Sequence, residues 1–133
     1  MSSKFALSML KYAEMDLENC RILIEQDKLY NLIVLHAQQV VEKSLKALLT
    51  YHGERIGNYE NYHDTKSLCI KAEKIIIDFK DYRNDCSDLA NVYVATHYPD
   101  INDDVILFNQ NNAIKFYKVA KKIFSLVSNE IAE

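Results

Sequence analysis

Tryptophan is absent from this chain, and glycine and proline nearly so, at two and one among 133 residues. So little turn chemistry excludes a many-stranded fold, in which every reversal needs residues that tolerate tight backbone conformations. The three cysteines, Cys20, Cys69 and Cys86, are odd in number and form no Cys-x-x-Cys pair, so they read as reduced thiols of a cytoplasmic protein. Long apolar runs are missing too. The stretch MSSKFALSMLKYAEMDLE is interrupted by Lys4, Lys11, Glu14 and Asp16 before it reaches signal-peptide length, and no later stretch could span a bilayer. A net charge of -3 excludes a broad nucleic-acid footprint while leaving room for a local patch. At this length, residues 1–133 are expected to form one domain around one core.

What the chain does contain is apolar residues at three- and four-residue spacing almost throughout, which predicts an all-α protein. The central stretch, NLIVLHAQQVVEKSLKALLTYH from Asn31 to His52, places Ile33, Val34, Ala37, Val40, Val41, Ser44, Leu45, Ala47, Leu48 and Tyr51 on one wide arc. The opposite arc carries Gln38, Gln39, Glu42, Lys43, Lys46 and Thr50, with Leu35 and Leu49 among them, and His36 stands where the arcs meet. So wide an apolar arc needs neighbours on two sides, which predicts an up-and-down four-helix bundle with an additional short helix. A first helix is expected over Ser3–Gln26, with Phe5, Met9, Tyr12, Ala13, Leu17 and Cys20 on its core face and Asp16 as the one charge there. An unpaired carboxylate at that place is costly, so Asp16 must find a cation, a hydroxyl or backbone donors. It is either a buried carboxylate fixing helix register or part of a cleft.

After a loop over GERIGNYENY, Asp64 or Thr65 is expected to cap a third helix carrying Leu68, Ala72, Ile75, Ile76 and Phe79 and ending near Lys80. A shorter fourth helix is expected over SDLANVYVAT inside an acidic tract from 78 to 104, ended by Pro99. Asn109 is placed to cap a last helix whose outer face carries Lys115, Lys118, Lys121 and Lys122, a solvated lysine face that could also touch phosphates.

Metal and cofactor chemistry find no support in the spacing. The histidines form no i, i+4 pair, and Asp100, Asn102 and Asp104 open like a calcium loop but lack its glycine and its bidentate glutamate. Gly53 and Gly57 are not followed by a Lys-Ser/Thr pair, which excludes a phosphate-cradling loop.

QQVVEKSLKALL, preceded by Tyr12-Ala13-x-x-Asp16-Leu17 and followed by His63 at a helix start and by Tyr93-x-x-x-x-Tyr98-Pro99-Asp100, resembles the HEPN domain over essentially the whole chain. The resemblance implies a five-helix bundle, often dimeric, of the kind paired with a small nucleotidyltransferase in toxin–antitoxin systems, some members being metal-independent endoribonucleases. Those nucleases carry Arg, four to six residues, then His. Here fourteen, seven and thirteen residues intervene between Arg21 and His36, Arg55 and His63, and Arg83 and His97, and His97 replaces the arginine of an Arg-Tyr-Pro sequence common in relatives. The expectation is a dimer that binds a partner, a nucleotide or RNA without strong catalysis of its own, Gln39, Glu42, Lys46, Tyr93, His97, Lys115, Lys118 and Lys122 being the binding candidates. The alternatives are an endoribonuclease using His97 or His63, with Asp16 a further catalytic candidate, and a helical scaffold.

Overall fold

The computed structural model describes residues 2–55, 57, 62–97 and 107–132, with the backbone alone at 2, 3 and 95–97. Five α-helices follow one another with no strand among the described residues: α1 (Ser2–Gln26), α2 (Tyr30–Tyr51), α3 (Thr65–Ala72), α4 (Arg83–His97) and α5 (Gln110–Ile131). A 3-10 turn, Ile77–Tyr82, leads into α4. No described helix is long and apolar enough to cross a membrane.

α2 is the centre of the molecule. It packs against α1 and α5 on one side and α3 and α4 on the other, so it is covered by both layers. Ile33, Val34, Ala37, Val40, Val41, Leu45 and Leu48 are fully buried, as the wide apolar arc requires. The arc expected to face water is buried too: Gln38, Glu42, Lys46, Leu49 and Thr50 all lie inside. A helical wheel assigns one wet side to a helix, and a helix wrapped by four neighbours has almost none. Leu49 is therefore part of the core, and Leu35 is half-buried.

The chain reverses between α1 and α2 in three residues without glycine. Asp27 adopts φ 52° and its N–H donates to the Ile24 carbonyl while the Lys28 N–H donates to that of Leu23, the double bond pattern of a Schellman cap with aspartate at the left-handed position. Leu29, also left-handed at φ 56°, then starts α2. The Asp27 carboxylate accepts from the Tyr30 hydroxyl at 2.7 Å and from Gln110 Nε2 at 2.8 Å, which fixes the beginning of α5 to this corner. At the far end of α2 the same cap recurs with Gly53, φ 101°, whose N–H donates to Thr50 while that of Glu54 donates to Leu49.

Asp64 caps α3, accepting from the N–H groups of Lys66 and Ser67. α3 stops at Ala72, well before Lys80, because three successive β-branched residues follow, and Ile76 is extended at φ -128°, ψ 107°. Phe79, on the 3-10 turn, still reaches the core. Arg83 clasps this connection, donating through Nε and Nη2 to the two carboxylate oxygens of Glu73 at 2.6 Å each. α4 begins four residues earlier than its apolar pattern, so that the third helix, not the fourth, is the shortest. Asp85 in its first turn complements the helix dipole. Asn109 and Asn112 cap α5 reciprocally. Residues 56, 58–61 and 98–106, which hold half of the loop expected over GERIGNYENY and the nine residues after α4, lie outside the described residues.

Candidate functional site

Gln38, Glu42 and Lys46 recur every fourth residue along the side of α2 that faces α3 and α4. Glu42, 4% exposed, is the hub: its Oε1 accepts from Gln38 Nε2 at 3.1 Å, its Oε2 from Lys46 Nζ at 3.0 Å, and His63 Nδ1 stands 2.9 Å from Oε1. Gln39 Nε2 donates to Gln38 Oε1 at 2.6 Å and extends the network toward the surface. A carboxylate so buried is stable only when its oxygens are paired, and here three donors meet two oxygens. The Glu42–Lys46 pair is therefore no surface pair worth a few tenths of a kcal/mol. Removing one partner strands the other in the core, at a cost of about 3–5 kcal/mol.

Through His63, half-buried, the network reaches an open groove. It sits just before the capped start of α3, and its contact with Glu42 places the proton of a neutral imidazole on Nδ1, leaving Nε2 as an acceptor. Its ring stacks on Tyr93 of α4, with centroids 4.2 Å apart and planes 12° from parallel. Both rings line a groove of about 470 Å3 between α3 and α4, together with Asp64, whose carboxylate is taken up in capping α3, and with Lys66, Ser87, Asn91 and Val94. Aromatic rings, an ammonium group and an amide in one open groove suit a flat heterocycle attached to an anionic group.

Asp16 stands on the opposite flank of α2. Lys43 Nζ donates to its Oδ2 at 2.6 Å and His36 Nδ1 lies 2.9 Å from Oδ1, so the expected cation is Lys43, with an imidazole at the second oxygen. Burial alone would raise its pKa, but the hydrogen bonds and charges of His36 and Lys43 outweigh that and hold it below the ordinary carboxylate value. Tyr12, expected on the core face, is exposed, with Lys43 Nζ 6.0 Å from its ring centroid.

The structure thus brings Glu42, Lys46, His63 and Tyr93 together, attaches Gln39 to them, and keeps Asp16 apart. His97 ends α4 and its side chain lies outside the described residues, as do Tyr98, Pro99, Asp100, Asn102 and Asp104. Lys115, Lys118 and Lys122 are exposed on α5 and none lines the groove; Lys115 Nζ is 3.9 Å from Asp88. Among the arginines, Arg21 is engaged by Glu18 and Glu25, Arg83 by Glu73, and Arg55 is exposed. Gln38, Lys66 and Asn91 were missed as site residues. The four-residue ladder of Gln38, Glu42 and Lys46 was the available signal for the first; nothing in the spacing marks the other two.

No curated protein and no solved structure is similar enough to be matched to the chain. The family model for the HEPN domain matches residues 6–131, nearly the whole chain, over the helices that build both polar clusters, and the chain belongs to the HEPN domain family.

Proposed function

We propose that this HEPN protein is a dimeric nucleotide- or RNA-binding component of a toxin–antitoxin-type system, partnered by a nucleotidyltransferase and without strong catalysis of its own. The observation that carries the reading is the His63–Tyr93 stack in the α3–α4 groove, anchored from behind by Glu42 and edged by Lys66. Stacked rings give a base a sequence-tolerant contact, and the lysine gives a phosphate a counter-charge. Family membership supports the nucleotide-related class, and the unmatched Arg-to-His spacing speaks against the nuclease chemistry of some relatives.

Titration of labelled single-stranded RNA and of ATP against the protein in chelator tests this. Binding of either without RNA turnover is expected, weakened about tenfold in Tyr93→Ala and in His63→Ala, as loss of one stacking contact implies. Absence of binding, or binding that ignores both substitutions, overturns it.

One observation favours the second reading, an endoribonuclease. With Nδ1 held by Glu42, Nε2 of His63 is placed as a base for a 2′-hydroxyl. RNA cleavage in chelator, abolished by His63→Ala, would move the protein to that class.

A further inference from the structure

The dimer reading leaves its surface unnamed, and the outward face of α1 has a property that supplies one. α1 packs against α2 and α5, and the face turned away from them carries three exposed apolar side chains, Leu7 at 50%, Met15 at 63% and Ile22 at 39% relative exposure. With them on that face stand Lys4, Lys11, Glu14, Glu18 and Glu25, all exposed. Lys4, Leu7, Lys11, Glu14, Glu18 and Glu25 recur at three-, four- or seven-residue steps, the spacing of a seam against another helix. In a helix of 25 residues the seam is about 37 Å long.

Charge along this seam is divided by halves. Lys4 and Lys11 with Glu14 give its first half a charge of +1, while Glu18 and Glu25 with Arg21 give its second half -1. Arg21 bridges Glu18 and Glu25, so both carboxylates are held along the helix. The division is also symmetric in position: about the midpoint between Glu14 and Met15, Lys4 is as far as Glu25, Leu7 as far as Ile22, and Lys11 as far as Glu18. A twofold axis through that midpoint lays a second copy of α1 antiparallel on the first. Each lysine then meets a glutamate, each Leu7 an Ile22, and each Met15 a Glu14 beside the axis. A parallel arrangement would set lysine on lysine and glutamate on glutamate. We infer that the outward face of α1 is the homodimer surface, and that its occupant is α1 of a second copy in antiparallel register. This rests on the dimer reading above and names the face it uses.

Sedimentation velocity of the full chain at tens of micromolar tests it, with Lys11→Glu, Glu18→Lys and the double variant Lys11→Glu/Glu18→Lys. Both positions of change are exposed, and circular dichroism checks that each variant keeps its helices. The parent is expected to dimerise, less so as salt is raised, because the pairing charges are solvent-exposed. Each single reversal puts two repulsive contacts into the symmetric interface and should weaken association by about tenfold. The double reversal restores both 11–18 pairs with their sign exchanged and leaves the Lys4–Glu25 pairs as they were, so it should restore association. A parent that sediments as a monomer overturns the dimer reading together with this surface. A dimer indifferent to the single reversals leaves the dimer reading standing and overturns the surface, and single variants that weaken without rescue by the double one overturn the antiparallel register.

Discussion

Asp16 carries the largest single-residue expectation. Its carboxylate is held by two side chains of α2, the Lys43 ammonium on one oxygen and the His36 imidazole on the other, so Asp16→Asn leaves Lys43 facing an amide and should destabilise the protein by about 2–4 kcal/mol in urea melts. Because its pKa in the folded protein lies below the ordinary value of 3.8, the stabilisation is present above that value and is lost as pH falls through the lowered one. The difference between parent and variant should accordingly narrow in melts taken below about pH 4. A difference that stays constant to pH 2 would mean that the carboxylate charge is not what matters. Ser44 carries the opposite expectation: its hydroxyl is fully buried with no hydrogen-bond partner, so Ser44→Ala should leave stability level or raise it by about 0.5–1 kcal/mol in the same assay. The anomaly of Asp16 was legible in the sequence, since one charge on an apolar face must be paired. Its partners were not, because His36 and Lys43 are twenty and twenty-seven residues away and a helical phase says nothing about which neighbouring helix faces it. Glu42 was misread for a related reason. A lone helix shows which residues share a side, whereas burial depends on how many helices surround it.

The ends of the helices hold stability that can be moved in either direction. Leu29 sits at φ 56°, where a branched side chain crowds the backbone, and it is exposed, so Leu29→Gly should raise stability by about 1 kcal/mol. Gly53 sits at φ 101° with open space where a Cβ would go, so Gly53→Ala should cost about 1 kcal/mol through the backbone alone. Thermal melts read both, and shifts of the same sign in the two variants would contradict the account of the two corners. The α1–α2 corner could not be read from composition, because left-handed turns are sought at glycine and this one is built from Asp27 and Leu29. Elements with strong periodicity and side-chain caps were legible: α1, α2 and α5 begin and end within a residue or so of expectation, and both Asp64 and Asn109 cap as anticipated. α3 was not, since Ile75, Ile76 and Phe79 keep a helical spacing that the backbone abandons after Ala72.

At the scale of the whole molecule, α2 is what each of the other helices leans on. Neither the α1–α5 layer nor the α3–α4 layer retains a core without it, so the chain is expected to unfold in a single transition, with coincident curves from far-UV circular dichroism and tyrosine emission. Separate midpoints would show two independent layers. The buried thiols give this expectation a finer edge. Cys20 lies at the α1–α2 seam, where its Sγ donates to the Ile33 carbonyl, whereas Cys69 and Cys86 lie on α3 and α4, and all three are fully enclosed. Burial pushes the Cys20 thiol up to about 12, with the Asp16 charge adding to it, and the hydrogen bond with Cys69, followed by burial, raises Cys86, so the closed protein offers a maleimide almost nothing to attack at either. Alkylation of those two must wait for the backbone around each to open, which turns the chain's small allotment of sulfur into a pair of clocks, one in each layer. If α2 binds the two layers into one cooperative unit, Cys20 and Cys86 keep the same time.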